Sequence, residues 1–193
     1  MSLEAYKISD SDTWQWAPCL GTDIADMLEM SREQYEADLA GQFKFDAHRS
    51  AQAMTIGVVN QLYQPTTELM CVARDKESKQ VLAWFWAKRG CYQEFSVEES
   101  SELRIIHCRK DIANRAKVGL VAQAVLLWQQ WGMENQIPIL VSATLRGDQS
   151  AFLRLLEASG FIIHGSYAFW RTDDVVLQQP VAEESKIYVG AQR

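Results

Sequence analysis

Residues 114–133 hold the strongest pattern in the chain. Val118, Val121, Val125 and Trp128 recur at helical spacing, with Leu120, Ala124, Leu127 and Trp131 beside them. So wide an apolar surface needs a sheet to cover it. A strand-like run precedes it at 102–109 (Glu-Leu-Arg-Ile-Ile-His-Cys-Arg), and another follows at 138–144 (Pro-Ile-Leu-Val-Ser-Ala-Thr), of the type buried on both faces. Strand, helix and strand in this order predict an α/β fold with this helix packed on the sheet.

The rest of the chain is read against that unit. Residues 67–74 and 80–89 are apolar runs parted by the turn Asp75-Lys76-Glu77-Ser78-Lys79, which predicts a hairpin. Before them, 4–8 alternates like a short strand. Asp12 or Thr13 is placed to cap a first helix that Pro18 and Gly21 interrupt. Residues 22–40 are helical in pattern, and Ser31-Arg32-Glu33-Gln34 fits a capping box that starts a fresh helix. Residues 46–63 predict a helix with Ala47, Ala51, Met54, Val58 and Leu62 on one stripe, weakened by Gly57 and ended by Pro65. Gly132 is expected to stop the long helix. Asp148 is expected to cap a last helix running through Ser159, with Gly160 in the left-handed position after it. Two short strands bent at Gly165 fill 161–171, and 172–193 is a polar tail carrying the apolar triplet Ile187-Tyr188-Val189.

Composition narrows the function classes. A chain of 193 residues with 48% hydrophobic and 23% charged residues has enough apolar mass for one core. No apolar run reaches the ~18 residues of a membrane span. The start, Met1-Ser2-Leu3-Glu4, lacks the features of a signal peptide, so an intracellular, cytoplasmic setting is expected. Cys19, Cys71, Cys91 and Cys108 form no C-x-x-C, and His48, His107 and His164 stand far apart, so neither zinc nor disulfides are expected. Trp84 and Trp86 share one strand face, and Trp128 and Trp131 one helix face, as expected of sheet-to-helix packing.

The net charge of −6 is unevenly placed. Residues 1–40 carry nine acids against Lys7 and Arg32, a balance of −7. Residues 104–117 carry Arg104, Arg109, Lys110, Arg115 and Lys117 against Asp111, a balance of +4. Overall acidity argues against nucleic acid as a partner. A basic stretch between a strand and a helix start suits an anion, because the first N–H groups of a helix point at it.

Two stretches resemble the GNAT N-acyltransferase superfamily. Arg115-Ala116-Lys117-Val118-Gly119-Leu120-Val121 stands where that family has its pyrophosphate loop, R/Q-x-x-G-x-G/A. Gln149 to Phe161 is similar to the family's helix ending in Gly-Phe. The resemblance spans about residues 66–171. It implies a mixed central sheet flanked by helices, with residues 1–171 as one domain (1–65 an N-terminal strand and helices, 66–171 the core) and 172–193 as a tail. It also implies a cofactor site of Arg109, Arg115, Lys117, Val118, Gly119 and Gln149, with acetyl-CoA as cofactor if the chain is active.

Departures from the family pattern point away from activity. With Arg115 on the family's first Arg, the two glycines become Val118 and Leu120. Shifted by one residue, Gly119 falls on the first glycine, but Ala116 and Val121 fall on the Arg and the second glycine. A β-carbon keeps the backbone from the pyrophosphate. Leu156 stands where the family often has its proton-donating tyrosine, and leucine donates none. Gln149 stands for an asparagine that contacts the cofactor arm. The catalytic candidates are Glu102, as a base acting through water, and Tyr167, near the closing strands. His107 and Cys108 are more ordinary as packed strand residues. The expectation is a non-catalytic structural or interaction component with no cofactor, binding protein partners or its own copy. An assembled particle, such as that of a tailed phage, is one such setting. The alternative is an acyl-CoA-dependent N-acetyltransferase acting on an amine. The tail 172–193 is expected to dock on another chain.

Overall fold

The computed structural model describes residues 12–39, 43–92, 94, 96–143 and 149–163. Five strands form one sheet in the order β1 (Trp14–Pro18), β2 (Glu68–Asp75), β3 (Val81–Cys91), β4 (Ser100–Cys108) and β5 (Ile139–Ser142). The first four are antiparallel to their neighbours; β5 runs parallel to β4. α3 (Asn114–Glu134) makes the crossover between them, as a parallel pair requires. α1 (Ile24–Asp38) and α2 (Ala47–Tyr63) cover one face of the sheet. α3 covers the other, with α4 (Ser150–Ala158) beside it. No helix among the described residues is long and apolar enough to cross a membrane.

The strand period of two sorts the core onto these faces. Leu69, Cys71, Phe85, Ala87 and Leu103 meet Leu127, Trp128 and Trp131 of α3. Met70, Val72 and Trp84 point the other way, onto Met27, Met30, Met54 and Val58 of α1 and α2. Trp84, Trp128 and Trp131 are fully buried, as their spacing predicts. The hairpin also stands as expected, with Asp75 Oδ1 accepting from the N–H groups of Glu77 and Ser78.

Several expectations are corrected. Residues 14–18 are a strand, not the start of a helix. Trp14-Gln15-Trp16-Ala17-Pro18 alternates, and Pro18 sits at a strand end where its missing donor costs nothing. Both indoles turn to the α3 side, and their N–H groups donate to one oxygen, Gln123 Oε1, at 2.7 and 3.1 Å. No fresh helix starts at Ser31, because α1 runs through it unbroken. The Ser31 hydroxyl is buried and donates to the Met27 carbonyl one turn back, at 2.7 Å. β5 is not buried on both faces, since it is the sheet edge among the described residues and Ile139 is exposed. The 4–8 strand, the Asp148 cap, the tail and all but the first three residues of the two strands expected over 161–171 lie outside the described residues; residues 161–163 are not in a strand.

Two glycines change meaning in three dimensions. Gly132 does not stop α3. It packs so closely on β5 that a β-carbon there would lie 2.8 Å from Leu140 Cδ2. The helix ends later, with Gln136 at φ 54° and Ile137 N–H donating to the Gly132 carbonyl at 2.9 Å, a Schellman closure made without glycine. Gly57 is the point of contact between α2 and the sheet. A β-carbon there would lie 2.5 Å from Met70 Sδ, 3.0 Å from Glu68 Oε2 and 3.1 Å from the Trp86 ring. Helix propensity favours Gly57→Ala by about 1 kcal/mol. Overpacking typically costs about 1–3 kcal/mol. The balance is a net destabilisation of up to about 2 kcal/mol, expected in a urea titration. A raised midpoint would show that α2 stands further from the sheet.

The α2 stripe holds at Met54 and Val58 and departs from expectation only at its last position. Leu62 is exposed and Gln61 is buried in its place. β1 parts from β2 after Cys19, whose N–H reaches the Met70 carbonyl at 2.9 Å. The Met70 N–H then donates to Gln61 Oε1. A buried amide thus finishes the strand edge that β1 leaves open.

Candidate functional site

Among the described residues, the ladder between β4 and β5 covers only the first half of β4. Ser100 to Leu103 match Ile139 to Ser142 of β5, and the pairing stops there. β4 goes on to Cys108 in register with β3. The strand register also shifts: Trp86 faces Ile105 and Ala87 faces Leu103, so Arg104 is a bulge residue. A bulge bends its strand, and here it coincides with the parting of β4 from β5. Among the described residues, β4 and β5 thus diverge towards the loop 109–113 and the start of α3.

Glu102 lies one residue before the end of the β4–β5 ladder, half-buried, between Lys88 on β3 and Val141 on β5. Directly paired residues share a face, so Glu68, Lys88 and Glu102 make one row across three strands. The sequence gives no warning of Glu68. It is only 2% exposed, yet it is an acid at the head of a strand, where acids usually meet water. Asn60 Nδ2 and Trp86 Nε1 each donate to it at 2.8 Å, and Lys88 Nζ lies 3.8 Å away. These donors come from α2 and β3, so only the fold assembles them.

The basic stretch does not form one patch. The Arg104 guanidinium lies 5.7 Å over the Trp86 ring, away from the loop. Arg109 donates to both oxygens of Asp111, at 3.0 and 3.1 Å. Those bonds hold the Asp111 carboxyl below its ordinary range and raise the Arg109 guanidinium above its own. This clasp is present at neutral pH and lost as pH falls through the lowered carboxylate range. Lys110 Nζ donates to the Glu33 carbonyl at 2.5 Å, and Lys117 Nζ returns to the Lys110 carbonyl at 2.9 Å. Three of the cations are thus bonded to oxygens of the chain itself. Arg115 is exposed.

The helix start is the larger departure. α3 begins at Asn114, so the whole segment Arg115 to Leu120 is helical. The Lys117 N–H is already taken by the Ala113 carbonyl at 3.0 Å. N–H groups beyond it belong to the helix ladder rather than to a ligand. Only the first-turn donors, Asn114 to Ala116, face outward along the axis. Leu120 does not obstruct the loop as its place in the motif suggests; it is fully buried against Ala73 and Ala83. Val118 is 57% exposed, and Gly119 lies under the Trp14 ring.

The remaining candidates are scattered. Gln149 precedes α4, and its carbonyl accepts from the Leu153 N–H at 2.9 Å. Leu156 is buried on α4, and Phe161 stacks on Trp128 with ring centroids 5.5 Å apart. His107 meets the edge of Trp84 on the α1–α2 face, and Cys108 packs in the cluster of Leu120 on the other. Tyr167 lies outside the described residues. Among the described residues, no three His, Cys, Asp or Glu side chains are placed to hold a metal ion.

No family model and no curated protein matches the chain by sequence. Its fold is similar to that of solved structures. One is the aminoglycoside N-acetyltransferase AAC(6')-Iy in complex with CoA: TM-score 0.62, 12% identity, 85% of this chain and 97% of that one covered. A second is glucosamine-6-phosphate N-acetyltransferase from Arabidopsis thaliana: TM-score 0.61, 8% identity, 84% and 100% covered. A third is AAC(6')-Ih from Acinetobacter baumannii: TM-score 0.59, 14% identity, 82% and 97% covered. Likeness at this level of identity concerns the backbone, and on it the chain has the GNAT-like fold of these acetyltransferases.

Proposed function

We propose that this chain is a GNAT-like module that works through contacts with other protein chains and does not turn over acyl-CoA. The observation that carries this reading is the start of α3 at Asn114. It draws the residues that resemble the pyrophosphate loop into a helix and uses the N–H groups from Lys117 onward there. The Lys117 side chain crosses back over the loop, and Val118 puts a branched side chain where a glycine would let a phosphate approach. The residues present therefore do not fit the diphosphate of CoA. A place within an assembled particle, rather than free in the cytoplasm, belongs to the same proposal.

The test is calorimetry with acetyl-CoA on the full chain. No saturable binding is expected up to millimolar ligand, ~1,000-fold above a typical micromolar cofactor affinity. Tight one-to-one binding that Arg115→Ala removes is the result that overturns the proposal. It would favour the second reading, an N-acetyltransferase acting on an amine with Glu102 as base. One observation supports that reading: among the described residues the β4–β5 ladder ends at Leu103, so the Glu102 carboxylate stands next to the point where the two strands diverge.

A further inference from the structure

From Ser50 to Thr67 the chain holds no charged residue, eighteen positions in a row, in a protein where 23% of residues are charged. Most of that stretch is α2. Its inner side is committed to the sheet through Met54, Gly57, Val58 and Gln61. Its outer side carries Ile56 (52% exposed), Val59 (44%), Leu62 (60%) and Tyr63 (83%). Steps of three and four residues put these on one stripe. Gln52, Thr55 and Gln64 flank it, all exposed and all uncharged. α1, packed beside α2, shows water the opposite chemistry: Asp26, Glu29, Glu33 and Glu36 lie along its outer side. Nor is the stripe free to turn inward. Asp46 caps the helix, accepting from the Arg49 N–H at 3.0 Å, and Asn60, Gln61 and Gly57 pin it to β2 and β3.

We infer that this face is where two copies of the chain meet, α2 against α2, antiparallel across a two-fold axis near Val59. Charge selects the second copy as occupant. In a two-fold contact each patch meets itself, so a charged patch meets its own sign. A protein of net charge −6 associates with itself where its surface is neutral, and α2 supplies such a surface. A basic partner would be drawn to α1 instead. With the axis at Val59, Ile56 of one copy lies opposite Leu62 and Tyr63 of the other. The flanking amides and hydroxyl both donate and accept, so they can bond to their own kind at the rim. α2 ends at Tyr63, so about an axis at Val59 the two helices overlap from Thr55 to Tyr63, a length of about 13 Å. A contact of that length falls below the ~1,200 Å² of a standard interface, which makes the dimer weak and concentration-dependent.

Sedimentation equilibrium of the full chain over a concentration series tests this, and its outcome is independent of the acetyl-CoA titration. Wild type is expected to move from monomer to dimer. Val59→Glu and Val59→Lys are each expected to stay monomeric, with unchanged circular dichroism, and to form a heterodimer when mixed. Tyr63→Glu, at the end of the stripe, serves the same purpose should a change at Val59 unfold the helix. A wild type that remains monomeric throughout overturns the inference. So does a dimer that Val59→Glu and Tyr63→Glu both leave intact. If wild type is monomeric and deleting residues 164–193 makes the chain associate, the face is covered by the chain's own C-terminal segment, and the inference fails.

Discussion

Trp128→Ala is expected to lower the unfolding free energy by about 3–5 kcal/mol, the usual loss for a buried aromatic. The side chain is fully buried in the α3–sheet core. Its indole N–H donates to Ser101 Oγ at 2.9 Å, and its ring stacks on Phe161 with planes 21° apart. Truncation therefore opens a cavity, leaves the buried Ser101 hydroxyl without its donor and frees the residue that follows α4. A denaturant titration read by circular dichroism measures the loss. Trp128→Phe separates the terms: it keeps most of the volume and the stack, and should cost only about 1–3 kcal/mol for the lost bond and smaller ring. A midpoint unmoved in Trp128→Ala would mean that α3 does not pack as described.

The four thiols are expected to differ sharply in reactivity. Cys19 and Cys71 are buried, while Cys91 and Cys108 are half-buried. Burial pushes the Cys71 thiol up to about 12 from an ordinary value near 9. Burial also raises Cys19 well above that ordinary value, helped by the neighbouring Cys71 and Asp23. The thiolate is the reactive form, so at pH 8 a shift of this size alone slows alkylation of Cys71 by about 1,000-fold. Native protein treated with iodoacetamide should carry label on Cys91 and Cys108 alone, and unfolded protein on all four, as peptide mass spectrometry would show. Equal labelling of Cys71 in the native state would contradict the core described. Sign follows from the same shift: the unfolded chain ionises these thiols first, so folding loses stability as pH climbs above about 9.

Much of the fold was legible because its elements obey local rules. The α3 stripe, the β2–β3 hairpin and Gly160, found at φ 89°, follow from period, turn chemistry and a missing β-carbon. The site was less legible for a physical reason. Its cofactor candidates rest largely on resemblance to a loop, but whether Arg115 to Leu120 forms a loop or a helix turns on where α3 begins. With a single glycine in that segment, nothing local stops the helix from starting early. The +4 balance of residues 104–117 was a count along the chain. A bulge at Arg104 and the clasp of Arg109 on Asp111 divide it in space.

The sequence by itself determined the period of each long element, the faces that had to be buried and the absence of charge from Ser50 to Thr67, because these depend on neighbours three or four positions away. Only the tertiary structure decided that Trp14 to Pro18 is a strand, that Gly57 and Gly132 are contact points and that Glu68 and Gln61 are buried. Those outcomes depend on partners distant in the chain: Gln123 for the two indoles, Met70 and Leu140 for the glycines, Trp86 for the carboxylate. A buried polar group or a missing β-carbon is stabilising only when the right neighbour faces it, and that neighbour is fixed by packing rather than by local pattern.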